Sequence, residues 1–144
     1  MFAKSMFGQV KINKEERRKM VMLRDRIGFE NNILYVNGKQ ISFEFPIEEG
    51  VIAEEIIWVQ EDIPNEVYKV DNAYGVSMDG ELLMRIQPPT REIYKTKNYE
   101  ERMPYTGIGL SREGYYVVTD FLGMRFIFDP KTGQITGKLP SIRF

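Results

Sequence analysis

The chain contains no cysteine and no histidine among its 144 residues. Disulfides, thiol nucleophiles, Cys/His zinc sites and every triad that uses imidazole are therefore excluded within one chain. Long apolar runs are missing as well. The opening MFAKSMFGQVKIN has one early lysine but no stretch that could serve as a signal core, and no later stretch could span a bilayer. The expected location is the cytoplasm, with no membrane partner. Net charge is nearly absent too: a formal −1 gives no bulk attraction to nucleic acid or to anionic membranes.

That average hides a local absence. Residues 40–68 carry eight acids (Glu44, Glu48, Glu49, Glu54, Glu55, Glu61, Asp62 and Glu66) and no base. Residues 1–29 show the reverse, eight Lys or Arg against three acids. What the chain does have is a 42% hydrophobic and 12% aromatic content, which argues for a packed core rather than disorder. Its length fits one domain over 1–144, burying roughly 68–70% of the unfolded surface.

The reading in chain order begins with a weak strand signal at 9–12 and a helix over 13–27. Asn13 can cap that helix, Glu16 completes a capping box and Gly28 stops it. Met20, Leu23 and Ile27 form one apolar stripe, with Arg17, Arg18, Lys19, Arg24 and Arg26 around the rest. This is the pattern of a cover helix docked on a sheet; a basic helix for RNA or an acidic partner is the alternative. A β-core is expected over 31–144. Ile33–Val36 and Gln40–Phe45 flank Asn37-Gly38, the strongest short hairpin signal, because a type I′ turn needs positive φ at both central residues. The run 54–61 reads as a strand covered on both faces, with Ile56 and Trp58 opposite Ile57 and Val59. Ala73–Met78 and Glu81–Gln87 form a second hairpin through Asp79-Gly80. Residues 88–105 show no periodicity and read as a long loop. Beyond it come strands at 106–110, 115–120, 124–128 and 134–139.

Three hairpins share one grammar. LYVNGKQISFEFP, YGVSMDGELLMRIQPP and FIFDPKTGQITGKLP each run strand, Gly-closed turn, alternating strand, proline. Their turn glycines, Gly38, Gly80 and Gly133, recur at the roughly 40–50-residue period of propeller blades.

On these residues Ile108–Pro140 resembles one blade of a quinoprotein-type β-propeller: a strand ends in Asp, a turn ends in Thr-Gly, and the outer strand follows. Asp129, Thr132 and Gly133 stand at those positions, while Ile135-Thr136-Gly137 replaces the tryptophan usual after the turn. From about Asn31 the chain is also similar to short uncharacterised bacterial proteins, a likeness carried by Pro104–Ile108 and Asp129–Gly133. The resemblance implies a fold and no activity. Quinone binding does not carry over, since it needs a closed ring of many blades. The expected fold is mainly β: antiparallel blade-like sheets packed as a partial propeller or two-sheet sandwich, with one N-terminal helix. About two and a half units cannot close a ring.

The search for chemistry is mostly negative. Gly107-Ile108-Gly109 is followed by Leu110-Ser111-Arg112, so the dinucleotide pattern fails at its third glycine. Glu54/Glu55 and Glu100/Glu101 are sequence neighbours, which on a strand point to opposite faces. A glycosidase-like pair such as Asp71 with Asp120 has nothing to favour it, and Asp79 and Asp129 suit turns better than calcium. No residue is assigned a catalytic or metal-binding role, and no cofactor is expected. Two clusters stand as candidate partner sites. One is the acidic set Glu48, Glu49, Glu54, Glu55, Glu61 and Asp62, suited to a basic protein. The other is the loop set Arg91, Tyr94, Lys95, Tyr99 and Arg102, where aromatics among cations could stack bases, though three acids dilute that reading and nucleic acid is not the expected partner. The expected function is protein–protein contact rather than catalysis, one form being an immunity-type inhibitor that plugs a basic toxin. The alternatives are an enzyme using carboxylates and tyrosines, for instance in glycoside hydrolysis, and a structural module that self-associates through open sheet edges.

Overall fold

A computed structural model describes residues 21–24 and 26–141. Among the described residues twelve strands make three four-stranded antiparallel sheets, each a meander in which sequence neighbours pair. The first sheet holds β1 (Val21–Arg24), β2 (Ile27–Glu30), β3 (Ile33–Val36) and β4 (Lys39–Ser42). The middle sheet holds β5 (Ile47–Ala53), β6 (Ile56–Glu61), β7 (Ala73–Ser77) and β8 (Leu82–Arg85). The third holds β9 (Tyr105–Leu110), β10 (Tyr116–Asp120), β11 (Arg125–Phe128) and β12 (Ile135–Leu139). The protein is mainly β and antiparallel, as its alternation dictates.

Each hairpin of the shared grammar is the last hairpin of its sheet, and its turn glycine takes positive φ: Gly38 at 90°, Gly80 at 82° and Gly133 at 76°. Sheets adjacent in the chain are linked through these turns. Asn37 Nδ2 donates to the Met78 carbonyl, 3.0 Å away, tying the first sheet's turn to the middle sheet's. Gln87 N–H donates to the Gly133 carbonyl at 2.8 Å, joining the middle sheet to the third.

β6 decides the packing. Ile57 and Val59 lie with Val76 against Ile27, Phe29, Leu34 and Val36 of the first sheet. From the opposite face Trp58 packs with Ala73 and Ile86 against Ile108, Val118, Phe126, Phe128 and Ile135. The middle sheet is thus covered on both faces, which is why its central strand reads as an unbroken apolar run. The Trp58 indole N–H donates to the Pro130 carbonyl at 2.9 Å, and its ring lies edge-on to Phe128 at 5.2 Å. No tryptophan follows the β11–β12 turn in sequence, yet an indole meets that turn, supplied by the neighbouring sheet.

Two sequence expectations need correction. The proposed helix ends in strand: residues 21–24 are β1 and Ile27 begins β2, the two joined by a turn with Arg26 at φ 69°. Leu23 and Ile27 do reach the core, but as strand residues. Residues 9–20, with the rest of that helix and the preceding strand signal, lie outside the described residues. The sheets consequently number three whole meanders instead of two and a half units. The second correction concerns Glu54 and Glu55, which are not strand residues. They form the β5–β6 turn, both in the left-handed region at φ 53° and 60°.

The stretch 88–105 is a connection with local order. Helix α1 (Arg91–Tyr94) starts at Thr90, whose Oγ1 accepts the Ile93 N–H, and a 3-10 turn follows at Tyr99–Glu101.

Candidate functional site

A buried polar seam where the middle and third sheets meet fixes the position of a surface groove. Asn72 is fully buried. Its Nδ2 donates to the Glu61 and Tyr105 carbonyls at 2.7 and 2.8 Å, and its Oδ1 accepts the Tyr105 N–H at 2.7 Å. Gln60 Nε2 reaches the same two carbonyls and the Glu48 carboxylate, the last at 3.1 Å. These bonds hold the start of β9 against the end of β6. Asp71 sits beside them at φ 53° and pairs with Arg102 at 2.7 Å. Burial pulls the Arg102 guanidinium down, but the hydrogen bond and the charge of Asp71, with smaller contributions from Tyr99 and Tyr105, together outweigh it and hold the group above its ordinary range.

Above this seam the chain leaves β6 at Asp62 and loops over to Val70. Pro64 shapes the loop, and the Asp62 N–H donates to the Pro46 carbonyl at 2.7 Å. Tyr68 bridges it to the connection that follows α1: its hydroxyl donates to the Arg102 carbonyl at 2.8 Å and the Glu100 carbonyl at 3.2 Å. From the other side the turn after β10 brings in Phe121, whose N–H donates to the Pro104 carbonyl at 3.2 Å. Between them lies a groove of about 350 Å³. Ile63, Pro64, Val67, Tyr68, Met103, Pro104 and Phe121 give it apolar walls, and Glu48, Asp62 and Glu66 give it carboxylates. No lysine or arginine lines it among the described residues. Among the described residues those three carboxylates form no salt bridge, and Glu48 accepts a hydrogen bond from the neutral amide of Gln60. Tyr68 and Phe121 are 62% and 63% exposed, so both rings are open to a partner at the groove.

The acidic set divides on this geometry. Glu48 and Asp62 line the groove. Glu49 is exposed but engaged, its Oε1 accepting the Ile108 N–H at 3.0 Å and so clipping β5 to β9. Glu54 and Glu55 stand apart in the β5–β6 turn, where Glu55 approaches Arg24 at 4.0 Å. Glu61 is fully buried and offers nothing to a partner. Its carboxylate accepts the Phe45 N–H and pairs with Lys69 at 2.9 Å. Lys69 also reaches Glu44 at 3.0 Å and lies over the rings of Phe45 and Tyr74, 5.3 and 5.4 Å from their centres. Burial lowers this ammonium's pKa, yet the bonds to Glu61, Tyr74 and Glu44 prevail and raise it. The base that compensates part of the acidic segment is therefore the residue immediately after it.

The loop set folds onto itself. Tyr94 is buried, stacked on Phe126 and edge-on to Tyr99. Two guanidiniums lie over the Tyr99 ring, Arg91 4.6 Å and Arg102 4.8 Å from its centre, and the Tyr99 hydroxyl donates to the Pro89 carbonyl. Arg91 also pairs with Glu100. Lys95 is the exposed left-handed cap of α1. None of these five residues lines the groove. Asp120 and Asp129 bond their own turns: Asp120 Oδ1 accepts the N–H groups of Leu122 and Met124, and Asp129 Oδ1 that of Lys131, each at 2.9 Å. The groove residues Tyr68, Met103 and Phe121 were missed because their meeting is purely tertiary. The nearest sequence signal is Phe121-Leu122, two large apolar residues in a turn where polar ones are usual.

Among the described residues no helix is long and apolar enough to cross a membrane. One family model, described as a domain of unknown function (DUF7957), matches residues 24–138, from within β1 to within β12 and so across all three sheets. No curated protein matches the chain.

Proposed function

We propose that this chain, a member of the DUF7957 family, is a non-catalytic binding domain for a basic protein. The observation that carries the reading is the groove: three carboxylates, no lysine or arginine lining it among the described residues, and apolar walls set over a buried polar seam. An apolar centre with a charged rim is the arrangement of protein-binding patches, and unneutralised acids speed encounter with a basic partner more than they tighten the complex. The immunity-type inhibitor is one form this class can take, with a basic toxin as the partner.

The test is affinity capture from the native host at low and at physiological salt, comparing wild type with Glu48→Lys/Asp62→Lys/Glu66→Lys. A basic protein held by wild type, released by salt and lost in the triple variant is the expected result. Identical capture by both proteins, with the variant still folded by circular dichroism, would refute the role of this face.

A further inference from the structure

The fold already contains a worked example of how this chain holds a cation. Lys69 is gripped by two carboxylates, Glu44 and Glu61, and by the rings of Phe45 and Tyr74. Arginines are gripped in a related way: Arg91 and Arg102 each lie over the ring of Tyr99, and each pairs with a carboxylate, Glu100 and Asp71 respectively. Ring face plus carboxylate is the arrangement that suits a guanidinium, which is planar, weakly hydrated and always charged.

The groove offers the same components with no resident cation among the described residues. Its exposed rings are Tyr68 and Phe121, with the buried Tyr105 also in the lining, and its carboxylates are Glu48, Asp62 and Glu66. At about 350 Å³ it falls near the small end of ligand sites, which span roughly 300–1,000 Å³. That is room for a side chain, not for a helix or a strand. Its mouth is prepared rather than improvised, because the Tyr68 hydroxyl is already tied to two backbone carbonyls and Phe121 is anchored through its N–H.

We infer that the groove accepts one arginine side chain from an exposed segment of the partner. Its methylenes lie along Pro64, Val67 and Met103, and its guanidinium lies between ring and carboxylate. This rests on the binding reading above and narrows it from a charged face to one anchoring residue, the kind that dominates interface energies.

The test is a nitrogen-15 NMR titration of the full chain at low salt with three capped tripeptides, acetyl-Gly-Arg-Gly-amide and its lysine and citrulline counterparts. Citrulline keeps the shape of arginine and removes its charge. The arginine peptide is expected to shift the amides of Val67, Tyr68, Thr106 and Phe121 saturably. The lysine peptide should bind more weakly, and citrulline at least tenfold more weakly. Phe121→Ser, at a position too exposed to threaten folding, should weaken the arginine peptide several-fold, while Glu113→Gln on the third sheet should leave it unchanged. Equal binding of citrulline, or shifts centred on Glu54 and Glu55 instead, would overturn the inference. If the charge-reversed triple variant loses a partner while arginine leaves the groove amides unmoved, the binding face stands and the single-arginine anchor falls. If arginine fills the groove and no basic protein is ever captured, the anchor stands and the proposed partner class falls.

Discussion

Gly38 and Gly133 occupy equivalent turns with different surroundings. A Cβ built at Gly38 meets nothing within 4 Å, whereas at Gly133 it falls 2.8 Å from Trp58 Cη2. Gly38→Ala should therefore cost only the backbone strain of positive φ, about 1 kcal/mol. Gly133→Ala should cost distinctly more, since the indole is held by Phe128 and Pro130 and cannot retreat. Urea midpoints at constant m-value measure both, and equal costs would mean the Trp58 packing is slack. Asp120 supplies a pH test. Burial raises its carboxyl above the usual range, partly opposed by the N–H groups of Met124 and Leu122. Between the unfolded and the folded pKa the native state binds more protons. Its contribution is thus complete below the unfolded value and is lost as pH rises through the folded one. Asp120→Asn should flatten that slope in urea titrations across the acid range. Asp120→Ala removes the same titration and also strands two N–H groups, which should cost about 1–3 kcal/mol on top of it. At this scale the sequence was a partial guide. It marked Glu48 and Asp62, but it could not show that Glu61 points inward, and a count ending at Tyr68 stops one residue short of Lys69.

Turn chemistry decides which elements can be read in advance. The hairpins closed by Gly38, Gly80 and Gly133 were legible because glycine advertises positive φ. The β5–β6 hairpin was not, because Glu54 and Glu55 take that conformation themselves and leave β5 without its usual marker. The same holds for β1–β2, where Arg26 makes the turn and the spacing of Leu23 and Ile27 imitates a helical stripe. α1, with four residues, is too short for any period to appear. Two non-glycine residues in the left-handed region are a store of strain. Replacing the turn by Glu54→Asn/Glu55→Gly should stabilise the protein by about 1–2 kcal/mol. The exposed Arg24–Glu55 contact given up in exchange contributes little. A variant no more stable than wild type in thermal melts would show that the strain is relieved elsewhere.

The three sheets lean on one another through β6, so the molecule should unfold in one step despite its modular repeat. Its single tryptophan lies between the middle and third sheets and reports that interface, while far-ultraviolet circular dichroism reports all twelve strands. Coincident denaturation curves are expected. Loss of ellipticity ahead of fluorescence would mean that the first sheet peels away on its own. The double cover of the middle sheet also has a consequence in time. A ribosome delivers the first sheet before the middle one, so Ile57 and Val59 emerge to a partner already made. The Trp58 face has none until β12 has followed Ile86 out, a wait of roughly 3–10 s at 5–20 residues per second. For that interval the nascent chain displays a bare indole flanked by Ala73 and Ile86, a surface for chaperones to shield during every round of synthesis.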